Sequence, residues 1–220
     1  MKPDFETVRA SQEIRTYITQ ADASLLALGY TEHSFPHVTR CAETAAHLLE
    51  QLDYDPRQVE LARIAGYMHD IGNVINRDDH AQSGAVMAFR ILEKMGMAPE
   101  DLAVVITAIG NHDEHTAYPV NAVAAALILA DKTDVRRSRV RNRDTISFDI
   151  HDRVNYAVER SELRLDTQAK ALTLELTIDT EISSVMDYFE IFMTRMLLCR
   201  KAAEYFGLKF RLVINGSAVL

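Results

Sequence analysis

His37, His69, Asp70, His80, His112 and Asp131 are the residues whose types and order could do chemistry. Imidazoles and carboxylates are the ligands of borderline and hard divalent metals such as Zn, Fe, Mn and Mg. His69 and Asp70 are adjacent in GYMHDIGN, at the end of an apolar stretch with little else polar. Neither side chain is cheap to bury unpaired, so an adjacent pair in this setting calls for a partner. A helix end can aim two consecutive side chains into one pocket, and a carboxylate can bridge two metals with its two oxygens. His37 sits in HVTRCAETAA, His80 follows the polar INRDD segment, and His112 ends the apolar DLAVVITAIGNH. Asp131 lies in ALILADKTD, inside the most apolar stretch of the chain, where a lone carboxylate would be costly without a cation. His33, four residues before His37, could share its helix face and support it from behind. His115 is near the set by sequence only, and His151 is expected to be exposed.

The elements that must position these residues can be read from periodicity and caps. Residues 5–28 predict an amphipathic helix with Ile14, Ile18, Ala21, Leu25 and Leu28 on one stripe and Gly29 as its stop. His37 opens the next helix, with Cys41, Ala45, Leu48, Leu49 and Leu52 on its apolar face. Asp55-Pro56 signals the start of a third, which runs through Leu61, Ile64, Ala65 and Met68 into His69-Asp70. Further helices are expected from about Ala81 to Met95, from Pro99 to His112, and from Asn121 to Thr133, the last buried all round. After about residue 144 the character changes. Glu159–Asp166 and Ala171–Asp179 alternate apolar and polar and predict a β-hairpin. Glu181–Phe206 predicts a long helix with Val185, Phe189, Phe192, Met193, Met196 and Ala203 on one side, stopped by Gly207, and Leu208–Ile214 a third strand. The expected fold is mainly α: a helical domain over residues 1–144, then an α+β appendage over 145–220 with three strands and one long helix.

Composition narrows the classes. The chain has 220 residues, 48% hydrophobic, with no apolar run long enough to span a bilayer. The start, MKPDFETVRA, has no signal-peptide core, and the two cysteines, Cys41 and Cys199, are far apart, which excludes a cysteine zinc site and suits a reducing cytoplasm. A net charge of −8 argues against an electrostatic trap for nucleic acid, as does the lack of an aromatic-basic stacking surface. One basic run stands out: Lys132, Arg136, Arg137, Arg139, Arg141 and Arg143 against the single acid Asp134. A concentrated basic stretch beside a candidate metal site points to an anionic small ligand.

His37 in HVTR, HDIGN at 69–73, His80 in HAQSGA, GNHDEH around His112, and ADKTD with Asp131 together resemble the HD-domain superfamily of metal-dependent phosphohydrolases. The resemblance covers roughly residues 30–135 and implies an HD-type helical bundle that holds one or two divalent ions. It implies His37, His69, Asp70 and Asp131 for one metal, and Asp70, His80 and His112 for the second. Two positions depart from common patterns: Asn73 stands where many members carry the lysine of HDIGK, and HTAYP at 115–119 keeps only Tyr118-Pro119 of the GYP element of the cyclic-di-GMP branch. The spacing is nearer to the branches that include ribonuclease Y and bacterial dinucleoside-tetraphosphate hydrolases.

The chemistry this implies is hydrolysis by a metal-activated water, with the metals also clamping a phosphoryl oxygen. Asp70 or Asp131 would steer the water, and Lys132, next to Asp131, would lie close to the metal. Arg136, Arg137 and Arg139 would contact distal phosphates, the alternative being a solvated or salt-bridged connection. The expected ligand is a phosphorylated small molecule, a nucleotide foremost. A second class of reading is a degenerate HD module that binds a nucleotide or a partner protein without turnover. The apolar surplus of the 181–206 helix also leads us to expect a homodimer.

Overall fold

Side-chain caps and prolines set the helix starts. The computed structural model describes residues 3–141 and 149–219. Asp4 accepts from the Thr7 amide (2.8 Å) and opens α1 (Phe5–Ala10). Ser11 then accepts from the Ile14 amide (3.5 Å) and opens α2 (Gln12–Ala27). The single helix expected over residues 5–28 is therefore two: Ser11 adopts extended geometry (ψ 117°) and caps the second, while the apolar stripe continues across the break. Gly29, at φ +84°, takes the left-handed position beyond α2.

Pro36 lies in the first turn of α3 (Phe35–Gln51). Asp55 accepts from the Arg57 amide (2.8 Å) ahead of Pro56, the first residue of α4 (Pro56–Met68). A 3₁₀ turn, Ile71–Val74, leads to α5 (His80–Lys94), α6 (Pro99–Gly110) and α7 (Ala122–Lys132). Every residue from Ala122 to Ala130 is buried, so α7 is apolar all round. Ile14, Ile18 and Leu25 of α2, Leu49 of α3, Leu61 and Ile64 of α4, and Val105 of α6 are buried as well. A side-chain carbon on Gly66 of α4 would lie 2.7 Å from the Ala42 backbone of α3, so the two helices touch backbone to backbone there.

The chain divides into two compact units, Met1–Asp131 and Lys132–Leu220. Residue 144, where the sequence suggested a boundary, lies outside the described residues, as does Arg143.

The second unit holds α8 (Ile150–Ala157), β1 (Val158–Asp166), β2 (Ala171–Ile178), α9 (Val185–Tyr205), β3 (Lys209–Ile214) and β4 (Ser217–Ala218). Its sheet order is β1-β2-β3-β4. β1 and β2 form the expected hairpin, with Leu163 opposite Leu174 and Leu165 opposite Leu172. α9 is the crossover that lets β3 pair parallel to β2, Leu174 beside Leu212. Ser184 and Asp187 form a capping box at its start. Tyr188, Phe192, Met196, Cys199 and Ala203 make its buried stripe, each large one contributing about 2 kcal/mol by burial.

Two elements were not expected. α8 is one turn pair, capped by Asp149, which accepts from the amides of His151 and Asp152. β4 returns through Asn215-Gly216, both at positive φ, as the two-residue hairpin turn requires. The sheet thus has four strands, accompanied by the two α-helices α8 and α9 among the described residues, against three strands and one helix expected. Met193 is also not on the inner stripe: it is 43% exposed, with Met186 (73%) and Leu197 (40%) beside it. Spaced seven and four residues apart, these three share one helical face. If a second copy covers that face, light scattering at micromolar concentration will give twice the chain mass of 24.8 kDa; a mass of one chain overturns the homodimer.

Candidate metal centre

Three helix C-termini meet where the histidines lie. His69 follows the last residue of α4, His112 follows α6 by two residues, and Asp131 is in the last turn of α7. A helix C-terminus carries partial negative charge from unsatisfied carbonyls. Here imidazoles take up two of those carbonyls: His69 Nδ1 donates to Gly66 O (2.8 Å) and His112 Nδ1 to Ile109 O (2.6 Å). His80, the first residue of α5, repeats the pattern, donating from Nδ1 to Arg77 O (3.0 Å). A carbonyl only accepts, so each Nδ1 carries a proton, and Nε2 is the ring atom that offers a lone pair when the ring is neutral.

Those lone pairs converge. His80 Nε2 and His112 Nε2 are 3.2 Å apart. Asp70 reaches between them, Oδ1 lying 3.6 Å from His80 Nε2 and 4.0 Å from His112 Nε2. Its other oxygen, Oδ2, is 3.1 Å from His69 Nε2 and 3.5 Å from His37 Nε2. Asp131 Oδ1 closes the far side, 3.4 Å from His37 Nε2 and 3.8 Å from His69 Nε2. The histidines and Asp70 are buried, and the Asp131 side chain keeps 12% exposure. The structure therefore brings all six sequence-derived residues into one cluster. His69 Nε2 and Asp70 Oδ2 are buried without a hydrogen bond of acceptable geometry. Burial by itself would push the Asp70 carboxyl up; His69 and His37, with His33 further out, hold it well below the usual carboxylate range.

The cluster fits a divalent ion on these grounds: lone pairs and carboxylate oxygens face one another at the ends of three helices, and two of the donors are orphaned. Two groups have ligand atoms within 4.8 Å of one another, His37–Cys41–His69–Asp131 and His69–Asp70–His112. Cys41 is an addition. One turn beyond His37, its Sγ is 3.7 Å from both ring nitrogens of His37, and sequence periodicity had marked it only as apolar lining.

Close backbone contacts hold the geometry. A Cβ on Gly72 would fall 2.0 Å from His80 O and 2.5 Å from Gly84 N, so the 3₁₀ turn after Asp70 lies directly on α5. Asn73 in that turn donates from Nδ2 to Asp70 Oδ1 (2.9 Å) and O (3.0 Å). Arg77 donates to Asn73 Oδ1 (3.3 Å) and lies over the Tyr30 ring, 5.5 Å from its centroid. His33 precedes α3 instead of sharing its face; its ring packs edge-on against His37, with Nδ1 bonded to Thr31 O (2.7 Å). His115 and His151 are exposed.

The basic run lies in the second unit. Arg136 pairs with Asp134 (Nη2–Oδ2 3.0 Å), and buried Arg139 donates from Nη1 to Asp134 O (2.6 Å). Arg137 donates to Tyr156 O and lies near Glu159 and Asp179. Lys132 is buried at the end of α7.

The sequence matches the family model described as HD domain over residues 35–190, more than half of its length. The chain belongs to the HD-domain family. HD domains bind divalent metals, in keeping with the donor set above. The family match extends past the helical unit into the second unit. Among curated proteins, this HD-domain chain is 24% identical over 200 residues to an uncharacterized protein of Methanocaldococcus jannaschii, covering 80% of this chain and 76% of that protein. It is 28% identical over 115 residues to ribonuclease Y of Opitutus terrae, covering 51% of this chain and 20% of the ribonuclease. A solved structure, described as a predicted HD superfamily hydrolase from an uncultured Thermotogales bacterium, is 27% identical, with a TM-score of 0.45 over 57% of this chain and 68% of that one. None of the helices of this HD-domain chain is long and apolar enough to cross a membrane among the described residues.

Proposed function

We propose that this HD-domain chain is a metal-dependent phosphohydrolase that cleaves a phosphoester or phosphoanhydride of a nucleotide or related small molecule. The observation that carries the reading is the cluster itself. Imidazole Nε2 atoms and two carboxylates face one another, and His69 Nε2 and Asp70 Oδ2 have no hydrogen bond to satisfy them. Held there, one or two divalent ions (Fe, Mn, Zn or Mg) supply Lewis acidity, lowering the pKa of water and offsetting phosphoryl charge. His37, His69, Asp70, His80, His112 and Asp131 would hold them.

The chain's own groups do the rest. The carbonyl contacts at Nδ1 keep the rings of His69, His80 and His112 from rotating, so their donors stay aimed inward. Asn73 fixes the Asp70 carboxylate in the same way. Asp131, the more exposed carboxylate, is the group we assign to accept a proton from the attacking water. The packed apolar shell of α7 and α4 excludes bulk water from one side. Lys132, Arg136, Arg137 and Arg139 remain proposed phosphate contacts; the internal ion pairs of Arg136 and Arg137 favour a structural role for those two.

A non-catalytic HD module that binds a nucleotide or protein is the second reading, favoured by uncharged Asn73 beside Asp70. The ribonuclease Y likeness keeps an RNA phosphodiester within the same chemistry, though a net charge of −8 weighs against a long polyanion. Elemental analysis of protein purified without chelator, followed by a screen of p-nitrophenyl phosphate, bis-p-nitrophenyl phosphate, mononucleotides and dinucleoside polyphosphates with Mn or Fe, tests the proposal. Bound metal and turnover of at least one class are expected. Metal without turnover selects the second reading. No metal above background, before or after reconstitution, overturns both.

A further inference from the structure

We propose that Arg77 is the residue beside the metal centre that grips a phosphoryl oxygen of the substrate. The inference deepens the phosphohydrolase reading and rests on it. Arg77 is half-buried, and its Nη1 lies 3.5 Å from His80 Nε2. Its guanidinium is steadied on two sides, by Asn73 Oδ1 (3.3 Å) and by the ring of Tyr30.

Its charge sets it apart. Several other half-buried arginines are paired with carboxylates: Arg57 with Asp101 at 3.0 Å, Arg63 with Glu43, Glu50 and Glu60, and Arg136 with Asp134. Among the described residues, no carboxylate lies within ion-pair distance of Arg77. The nearest acid of the cluster, Asp70, is screened from it by Asn73, which spends its Nδ2 on Asp70 and its Oδ1 on Arg77. Asn73 thus keeps a cation next to the centre and off the Asp70 carboxylate, with Nη1 left against His80 Nε2. A guanidinium has five donors in a planar fork, and Arg77 uses only part of that fork on Asn73 and His80. A partly desolvated, uncompensated guanidinium beside a cluster that holds cations suits a doubly accepting anion, and phosphoryl oxygens match the fork.

The contact to His80 Nδ1 is made by the Arg77 backbone carbonyl, so changing the side chain leaves it in place. The side chain's Nη1 also lies 3.5 Å from His80 Nε2, so metal binding is read separately from phosphate recognition. The experiment is calorimetric titration of inorganic phosphate into the metal-loaded full chain, with metal content measured on the same samples. Arg77→Ala should weaken phosphate binding about tenfold or more with metal content unchanged. Arg77→Lys, which keeps the charge but not the fork, should fall between the two. Arg77→Gln, which keeps the stem on Tyr30 and a donor to Asn73, guards against a folding artefact and should resemble Arg77→Ala. Phosphate affinity that stays at the wild-type value in Arg77→Ala or Arg77→Gln overturns the role of Arg77 alone. So does loss of metal together with phosphate. A metal-loaded wild-type protein that neither binds phosphate nor hydrolyses a phosphoester overturns the role together with the phosphohydrolase reading.

Discussion

Asp70→Ala is expected to lose both metal and phosphohydrolase activity while keeping its helices. Asp70 turns its two oxygens to different histidines, Oδ2 towards His37 and His69 and Oδ1 towards His80 and His112. Without it His80 and His112 face each other with no carboxylate between them, and Asp131 alone remains beside His37 and His69. Loss of a ligand exceeds the 10–100-fold effects seen for groups that only support ligands, so activity should fall by roughly a thousandfold or more. At neutral pH the metal-free variant should be less stable than metal-free wild type, because His69 and His37 hold the Asp70 carboxyl well below the usual range and Asn73 donates to it. The contrast comes on adding metal. At about a hundredfold excess over the dissociation constant, binding stabilises wild type by roughly 2.7 kcal/mol, a rise in Tm on the order of 10 °C, and leaves the variant unmoved. Scanning fluorimetry with and without metal, circular dichroism and elemental analysis read these effects together. A metal-loaded Asp70→Ala protein with wild-type activity would refute the bridging role.

Gly72→Ala should be as damaging from a position that offers no side chain at all. The new methyl would sit 2.0 Å from His80 O and 2.5 Å from Gly84 N, and a backbone atom cannot rotate away. Relief requires the 3₁₀ turn to lift off α5, which separates Asp70 and Asn73 on the turn from His80 on the helix. Overpacking of this kind costs about 3 kcal/mol, and the displacement should take metal affinity with it. Gly110→Ala is the control. Its methyl meets only the Ala85 side chain at 3.6 Å, so it should be neutral or stabilising by about 0.5 kcal/mol. Urea unfolding of the two variants side by side measures the difference, and equal midpoints would show that the turn is not pinned where the structure places it.

Much of the helical unit was legible because each start carried its own chemistry: Asp55-Pro56 for α4, Pro99 for α6, Gly29 after α2. The break at Ser11 was not, since Ile14, Ile18 and Leu25 continue the stripe on which periodicity depends. Asn215-Gly216 is a readable hairpin signal, but the strand after it, β4, is two residues long and too short to alternate. α8 has a readable cap in Asp149, but its eight residues hold little more than two turns of pattern. At the site, six donors stood out as polar side chains in apolar helices. Arg77 and Cys41 did not: Arg77 belongs to a polar loop and Cys41 to an apolar face, and only the folded chain brings them to the cluster. The basic run misled for the converse reason, since a row of arginines gives no sign of the carboxylates and carbonyls that will take them up.

The meeting of α4, α6 and α7 by their carboxyl ends has a kinetic meaning. Under the phosphohydrolase reading, a phosphorylated molecule approaching the metal-free cluster would meet Asp70, Asp131 and three helix ends of negative sign, with the Arg77 guanidinium beside them. Repulsion of this kind would favour metal first and substrate second. Scarcity of the ion would then lower the number of competent molecules and leave the rate of each competent one unchanged, so that the supply of metal would act as a switch on the population.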